Sequence, residues 1–316
     1  MEISYRRSLR LLLAGLLLML LTGAYYGEEM PQNSRIKLAQ TKDIVIYAGA
    51  EVSGDTQNFF FDRETLLKGK LLCIGVNSPL PHDMPVQQAR NVRKLVGLYV
   101  PAAQTVNLSE ETIYALCDLC AENPLVRTWI TDGMRAPSAQ YALQNETFEQ
   151  YRKLMPASQA LNKARTDVPD SGKGEHQLSA AFDLKFTGEL DWSYPDPLDR
   201  SEDGRWLREN AWRFGFIRRY PPEKSSATGV NNEELHFRYV GREHALIMRI
   251  MDWCLEEYLS ALERYGGITL ERENKTAYVL SVPMGEHGAV FCVPEGYSCS
   301  VSADNLGRAV CMATEN

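Results

Sequence analysis

The sequence predicts an α+β fold, an antiparallel sheet with flanking helices, preceded by an apolar N-terminal segment and followed by a small C-terminal β appendage. Three observations predict it. Phe182, Leu184 and Phe186 alternate with Ala181, Asp183 and Lys185, and Leu235, Phe237 and Tyr239 alternate with His236 and Arg238. That period of two belongs to half-buried strands. Leu246, Ile247, Ile250, Met251, Cys254, Leu255, Tyr258, Leu259 and Leu262 form one wide stripe at helical spacing. Past Gly266-Gly267, the runs 277–282, 289–293 and 309–311 read as short strands between turns.

At 316 residues, 44% hydrophobic and 24% charged, the chain has room for one large domain, or one domain with a small appendage. Its formal charge of −7 argues against a nucleic-acid partner, which would want a basic face. Arg6, Arg7 and Arg10 precede an apolar run from Leu11 to Tyr26. Residues 1–27 therefore read as a membrane anchor or signal segment, with a cytoplasmic N-terminus and the remainder extracytoplasmic. One N-terminal helix as an anchor is one reading, and cleavage near Thr22-Gly23-Ala24 is the other. Residues 28–42 then form a polar linker.

The next stretch, 43–70, reads as a β lead-in. Strands at 43–47 and 58–61 suggest a hairpin with Gly54-Asp55 in its turn. Leu71 to Asn77 reads as a continuous apolar strand that opens the main domain, 71–265. Ser109 before Glu110 and Glu111 is a helix start, because a hydroxyl and early acids suit the free amides and the dipole. Cys117 and Cys120 fall on the apolar stripe of that helix and read as core thiols. A strand at 128–131 delivers Arg135, and residues 205–212 read as helical before a strand at 216–220. Residues 242–264 read as a single amphipathic helix with His244 at its exposed start. His82 and His287 read as loop residues. In the appendage, 266–316, a Cys292–Cys299 disulfide is one possible pairing.

Two stretches carry chemistry. In the first, Asp183 faces away from the apolar side of its strand, and His176 lies seven residues earlier across small residues that can turn. In the second, His236 faces away from the apolar set of its own strand. Two imidazoles and one carboxylate supply three protein ligands, and a hydrolytic zinc leaves a fourth position open to water. A carboxylate just before His236 then serves as proton acceptor. Strand parity would put Glu234 on the face of His236, whereas a loop at this point would let Glu233 reach the site.

His176-x-x-Ser179-x-Ala181-x-Asp183 resembles the His-x-x-Gly-x-Ala-x-Asp signature of the VanY-type D-Ala-D-Ala carboxypeptidases, and Glu233-x-x-His236-Phe237-Arg238-Tyr239-Val240-Gly241 resembles that family's second signature. Asn210 to Phe216, Arg219-Tyr220-Pro221, Lys224 and Thr228-Gly229 agree in order and approximate spacing. The resemblance covers roughly 71–262. It implies a zinc site at His176, Asp183 and His236, with Glu233 as the base. Arg135 and Gln140 match an arginine and a glutamine of the family, so the resemblance implies that both bind substrate. Arg135 would stabilise the carbonyl oxyanion or the terminal carboxylate, since its planar, paired donors suit either.

The implied activity is hydrolysis of the terminal D-Ala from peptidoglycan stem peptides ending in D-Ala-D-Ala. An L,D-carboxypeptidase, a D,D-dipeptidase and a metal-free wall-binding module are the alternatives. The chain departs from the family at Gly174, where relatives usually carry Ser, and at Ser179, where they usually carry Gly.

Overall fold

A four-stranded antiparallel sheet in the order β6-β7-β9-β8 carries the two stretches singled out above. Its strands are β6 (Thr128–Asp132), β7 (Ala181–Phe186), β8 (Phe216–Arg218) and β9 (His236–Tyr239). The computed structural model describes residues 35–316 apart from Val76, Asn231, Asn232, Glu234 and Asn274. Residues 37–316 make one compact unit. Helix α1 (Glu110–Glu122) packs Ile113, Leu116 and Leu119 into a core with Phe182, Leu184, Phe216 and Phe237. Ser109 caps it, its hydroxyl accepting from the Thr112 amide at 3.2 Å. Helices α2 (Pro137–Arg152) and α3 (Ala157–Asp167) pack on each other and lead into the first motif. Helix α4 (Glu202–Asn210) and a 3-10 turn end at Gly215, whose φ of 88° makes glycine the favoured residue there.

The second sheet has six antiparallel strands in the order β1-β2-β10-β11-β14-β13. They are β1 (Lys37–Gln40), β2 (Ile44–Ala48), β10 (Gly267–Arg272), β11 (Lys275–Pro283), β13 (Tyr297–Ala303) and β14 (Arg308–Glu315). Its two faces are both covered, and alternation along β11 shows how. Val279 joins Ile268 and Leu270 under Leu255, Tyr258 and Leu262, whereas Tyr278 joins Phe291, Val293 and Cys311 on the other side. That other side is roofed by the ribbon of β3 (Thr56–Asp62) and β12 (Gly288–Pro294). The shortest pair is β4 (Arg90–Asn91) with β5 (Asn107–Leu108).

Several expectations are revised. The lead-in and the C-terminal strands do not stand apart: β2 pairs with β10, and β3 pairs with β12 rather than forming a hairpin with β2. Lys37–Gln40, expected within a linker, is the edge strand β1. Leu71 to Ile74 is buried but forms no strand; the Leu71 amide donates to the Ser302 hydroxyl and the Cys73 amide to the Asp304 carbonyl. The 242–264 helix is two helices, α5 (Arg242–Met251) and α6 (Leu255–Tyr265). Asp252, at φ 52°, ends the first, and Cys254 with Glu257 makes a capping box for the second. His244 is buried against Tyr258, Nδ1 to hydroxyl 2.7 Å, not exposed. Burial lowers its pKa to about 3, keeping it neutral. Cys292 and Cys299 are both free thiols.

The expected extracytoplasmic placement on one N-terminal membrane helix is also corrected. No helix among the described residues is long and apolar enough to cross a membrane. The apolar run at 11–26 lies outside the described residues.

Candidate metal centre

The register of β7 on β9 sets Asp183 opposite His236. One oxygen of the Asp183 carboxylate, Oδ1, lies 2.8 Å from His236 Nδ1, and the other, Oδ2, lies 3.0 Å from His176 Nε2. His176 comes from the 3-10 turn Glu175–Gln177, which folds back just before β7. The two imidazoles meet edge to face, with centroids 4.8 Å apart. All three candidate ligand atoms lie within 4.8 Å of one another. The fold therefore brings His176, Asp183 and His236 together.

The ring nitrogens that face outward are occupied. His176 Nδ1 donates to the Gly133 carbonyl at 2.8 Å, which leaves its Nε2 lone pair for a metal. Gly133 is required for close approach: a Cβ there would stand 2.7 Å from the Asn107 carbonyl. His236 Nε2 lies 3.4 Å from Glu175 Oε2. Burial disfavours charge on Asp183, but its contacts with the two imidazoles outweigh it and hold the carboxyl far below the usual range. Burial likewise opposes charge on His236, and Asp183 and Glu175 outweigh it, raising the pKa to about 9. A compact set of two imidazoles and one partly open carboxylate, with both outer nitrogens engaged, fits zinc.

Glu233 stands at the turn into β9, where the His236 amide donates to its carbonyl at 3.2 Å. Its carboxyl is close enough to His236, Asp183 and His176 to feel their charge. Burial pushes its pKa up, with His236 pulling against it and Asp183 adding to it. Glu234, the other candidate base, lies outside the described residues.

Arg135 follows an irregularity in the β6 pairing between Ile130 and Asp132, the kind of bulge that re-aims side chains. Its Nε donates to Asp132 at 2.7 Å, Nη1 donates to Gln140 Oε1 at 2.8 Å, and Nη2 lies 3.9 Å from Asp183 Oδ2. Gln140 does not fit the substrate contact expected of it. It is fully buried, and its amide nitrogen donates to the Pro169 carbonyl at 2.8 Å, so both its polar groups are engaged within the protein.

The sequence reading missed a buried ionic cluster behind His236. Glu175, Arg219 and Arg238 are all essentially inaccessible, and Glu256 on α6 joins them through Arg219. Tyr220 stacks on the His236 ring at 5.3 Å. One signal was available: Arg238 lies two residues after His236, so strand parity already placed a second charge on the ligand's own face.

A carboxylate and an imidazole on paired strands, a second imidazole from the turn before them and a guanidinium 3.9 Å from the carboxylate make a group that could hold one metal ion of the type used for hydrolysis. Residues 111–242 match the model of the VanY family, D-alanyl-D-alanine carboxypeptidase. It is 41% identical over 132 residues to a D-alanyl-D-alanine carboxypeptidase of Enterococcus faecalis (strain ATCC 700802 / V583), a match covering 42% of this chain and 47% of that one. It is 25% identical over 264 residues to a D-alanyl-D-alanine carboxypeptidase of Enterococcus faecium, covering 82% of this chain and 79% of that one. The chain thus spans about half the length of the first relative and most of the second. The vancomycin resistance D,D-dipeptidase VanXYg, solved with a D-Ala-D-Ala phosphinate analogue, shares the fold at a TM-score of 0.68 and 22% identity. That match covers 83% of this chain and all of that one.

Proposed function

We propose that this protein is a zinc-dependent carboxypeptidase that removes the terminal D-Ala from peptidoglycan stem peptides ending in D-Ala-D-Ala. The observation that carries the reading is the convergence of His176 Nε2, the Asp183 carboxylate and His236 Nδ1 within 4.8 Å. Residues 71–265 are assigned to the peptidase domain, and 43–70 with 266–316 to the β-rich remainder.

Zinc bound at His176, Asp183 and His236 supplies Lewis-acid chemistry that acidifies water and polarises a carbonyl. Glu233 accepts a proton from the attacking water and returns it to the leaving amine. Its raised proton affinity suits both halves of that task. Arg135 is pinned by Asp132 and Gln140, which leaves Nη2 directed to the substrate's carbonyl oxygen or terminal carboxylate. Gln140 holds Arg135 in place and does not itself touch substrate.

The test is D-Ala release from a stem pentapeptide, a stem tetrapeptide and free D-Ala-D-Ala, with and without chelator. Chelator-sensitive release from the pentapeptide, lost in Glu233→Ala, is expected. Release confined to the tetrapeptide or the dipeptide would replace the proposed specificity with the L,D or the dipeptidase one.

A further inference from the structure

We propose that Glu175 is a positioning residue of the metal site: its carboxylate accepts the Nε2–H of His236 and thereby commits Nδ1, the opposite ring nitrogen, to the metal. The proposal rests on the zinc reading above and adds a residue outside the ligand set. Glu175 immediately precedes His176, and its side chain is 0% exposed. A carboxylate so fully removed from water persists only where cations and donors compensate it. Here Oε1 receives Arg219 Nε at 2.8 Å and faces Arg238 Nη1 at 3.2 Å, which leaves Oε2 toward His236 Nε2 at 3.4 Å.

The carboxylate cannot turn away from the imidazole. Arg219, which orients it, is itself held by two contacts to Glu256 on α6, at 2.9 and 2.6 Å. Tyr220 covers one face of the His236 ring and so restricts its rotation. His236 faces a carboxylate on each side, Asp183 Oδ1 at 2.8 Å from Nδ1 and Glu175 Oε2 at 3.4 Å from Nε2. A carboxylate can only accept, so without a metal both nitrogens carry protons; a metal shared with Asp183 would displace the proton on Nδ1, and the buried Glu175 would keep the one on Nε2. The two histidines are thus oriented unequally: His176 by the neutral carbonyl of Gly133, His236 by a full negative charge, which raises ligand basicity further.

Glu175→Gln keeps the shape and inverts the logic. Its carbonyl oxygen would turn to the two guanidinium groups, and its NH2 would then face Nε2. Nε2 would have to accept, moving the proton to Nδ1, where the metal needs a lone pair. A structural counter-ion for the two arginines would predict lost stability without that reversal.

The experiment is imidazole nitrogen NMR on the full chain, with zinc titrated into the wild type and Glu175→Gln. In the wild type, His236 is expected to bind zinc through Nδ1 with Nε2 protonated. In the variant the His236 tautomer is expected to invert, and zinc affinity to fall about 10–100-fold. Zinc bound through His236 Nε2 in the wild type would overturn the proposal, and this holds even if the variant fails to fold. A folded variant with wild-type tautomer and affinity would overturn it as well. Absence of zinc uptake by the wild type would instead sink the zinc reading on which the proposal stands.

Discussion

Asp183 and His236 face each other in register across β7 and β9, with carboxylate oxygen and Nδ1 2.8 Å apart. The second carboxylate oxygen points to His176, so Asp183 is the hinge of the ligand set. Asp183→Ala is expected to leave the fold intact and to weaken zinc binding by more than about 100-fold, beyond the loss typical of an outer partner. Metal content after dialysis, read beside circular dichroism, checks this. A folded variant with stoichiometric zinc would remove Asp183 from the site.

Glu233 is assigned to proton transfer and not to metal binding. Glu233→Ala is therefore expected to keep its zinc while kcat falls by about 10²–10⁴-fold. Parallel metal analysis and D-Ala release separate the two roles. Loss of zinc together with activity would make Glu233 a ligand.

Arg135 and Gln140 act as a pair in which one reaches outward and the other supports it. Arg135→Ala is expected to lower kcat/KM by about 10²–10³-fold, the scale of a lost oxyanion donor. Gln140→Leu, which strips Arg135 of one acceptor, should cost about tenfold at most, by loosening the guanidinium. Equal losses for both would contradict the supporting role.

Gly174 sits at an ordinary extended backbone conformation, φ −115° and ψ 143°, and a Cβ there would meet Gln140 Nε2 at 3.7 Å and Pro169 at 3.8 Å. Nothing forces glycine at this position. Gly174→Ser is expected to change stability by no more than about 0.5 kcal/mol and to lower KM for the pentapeptide, because the added hydroxyl can meet the substrate's terminal carboxylate. Thermal unfolding and steady-state kinetics measure both. A loss of more than about 2 kcal/mol would show that the glycine is structurally required.

Away from the metal, Asp196 ties the approach to α4 to β8, accepting from Arg208 at 2.6 Å and from Arg218 at 2.6 and 2.7 Å. Burial raises its pKa, but those hydrogen bonds outweigh it and bring the value down to about 2. Because the folded pKa lies below the unfolded one, the stabilisation is complete above about pH 4 and is lost as pH falls toward 2. Asp196→Asn should destabilise the protein by about 1–2 kcal/mol at pH 7, allowing for solvent screening. The gap to the wild type should shrink as the pH approaches 2, and denaturant unfolding across that range follows it.

Asp183 and His236, two of the three candidate ligands, were legible in the sequence because strand parity separates them from the apolar residues. Asp183 and His236 occupy the polar positions of β7 and β9. Parity set Arg238 on the polar face of β9 but could not tell that this face is buried too, so its pairing with Glu175 was not foreseen. Gln140 has a polar side chain on a mostly exposed helix, and only the fold reveals that it is internal. The pairing of β2 with β10 joins segments more than 200 residues apart, and no local pattern records such a register. The break between α5 and α6 was hidden because the apolar stripe runs through it, while Asp252 and the Cys254–Glu257 cap that cause it carry no strong composition signal.

The central claim is that one zinc ion is held by His176, Asp183 and His236. Anomalous diffraction at the zinc edge from crystals of the zinc-loaded protein tests it most directly. The account predicts a single strong peak about 2.0–2.2 Å from His176 Nε2, an Asp183 carboxylate oxygen and His236 Nδ1. A peak elsewhere, or one lacking any of these three residues within bonding distance, would contradict it.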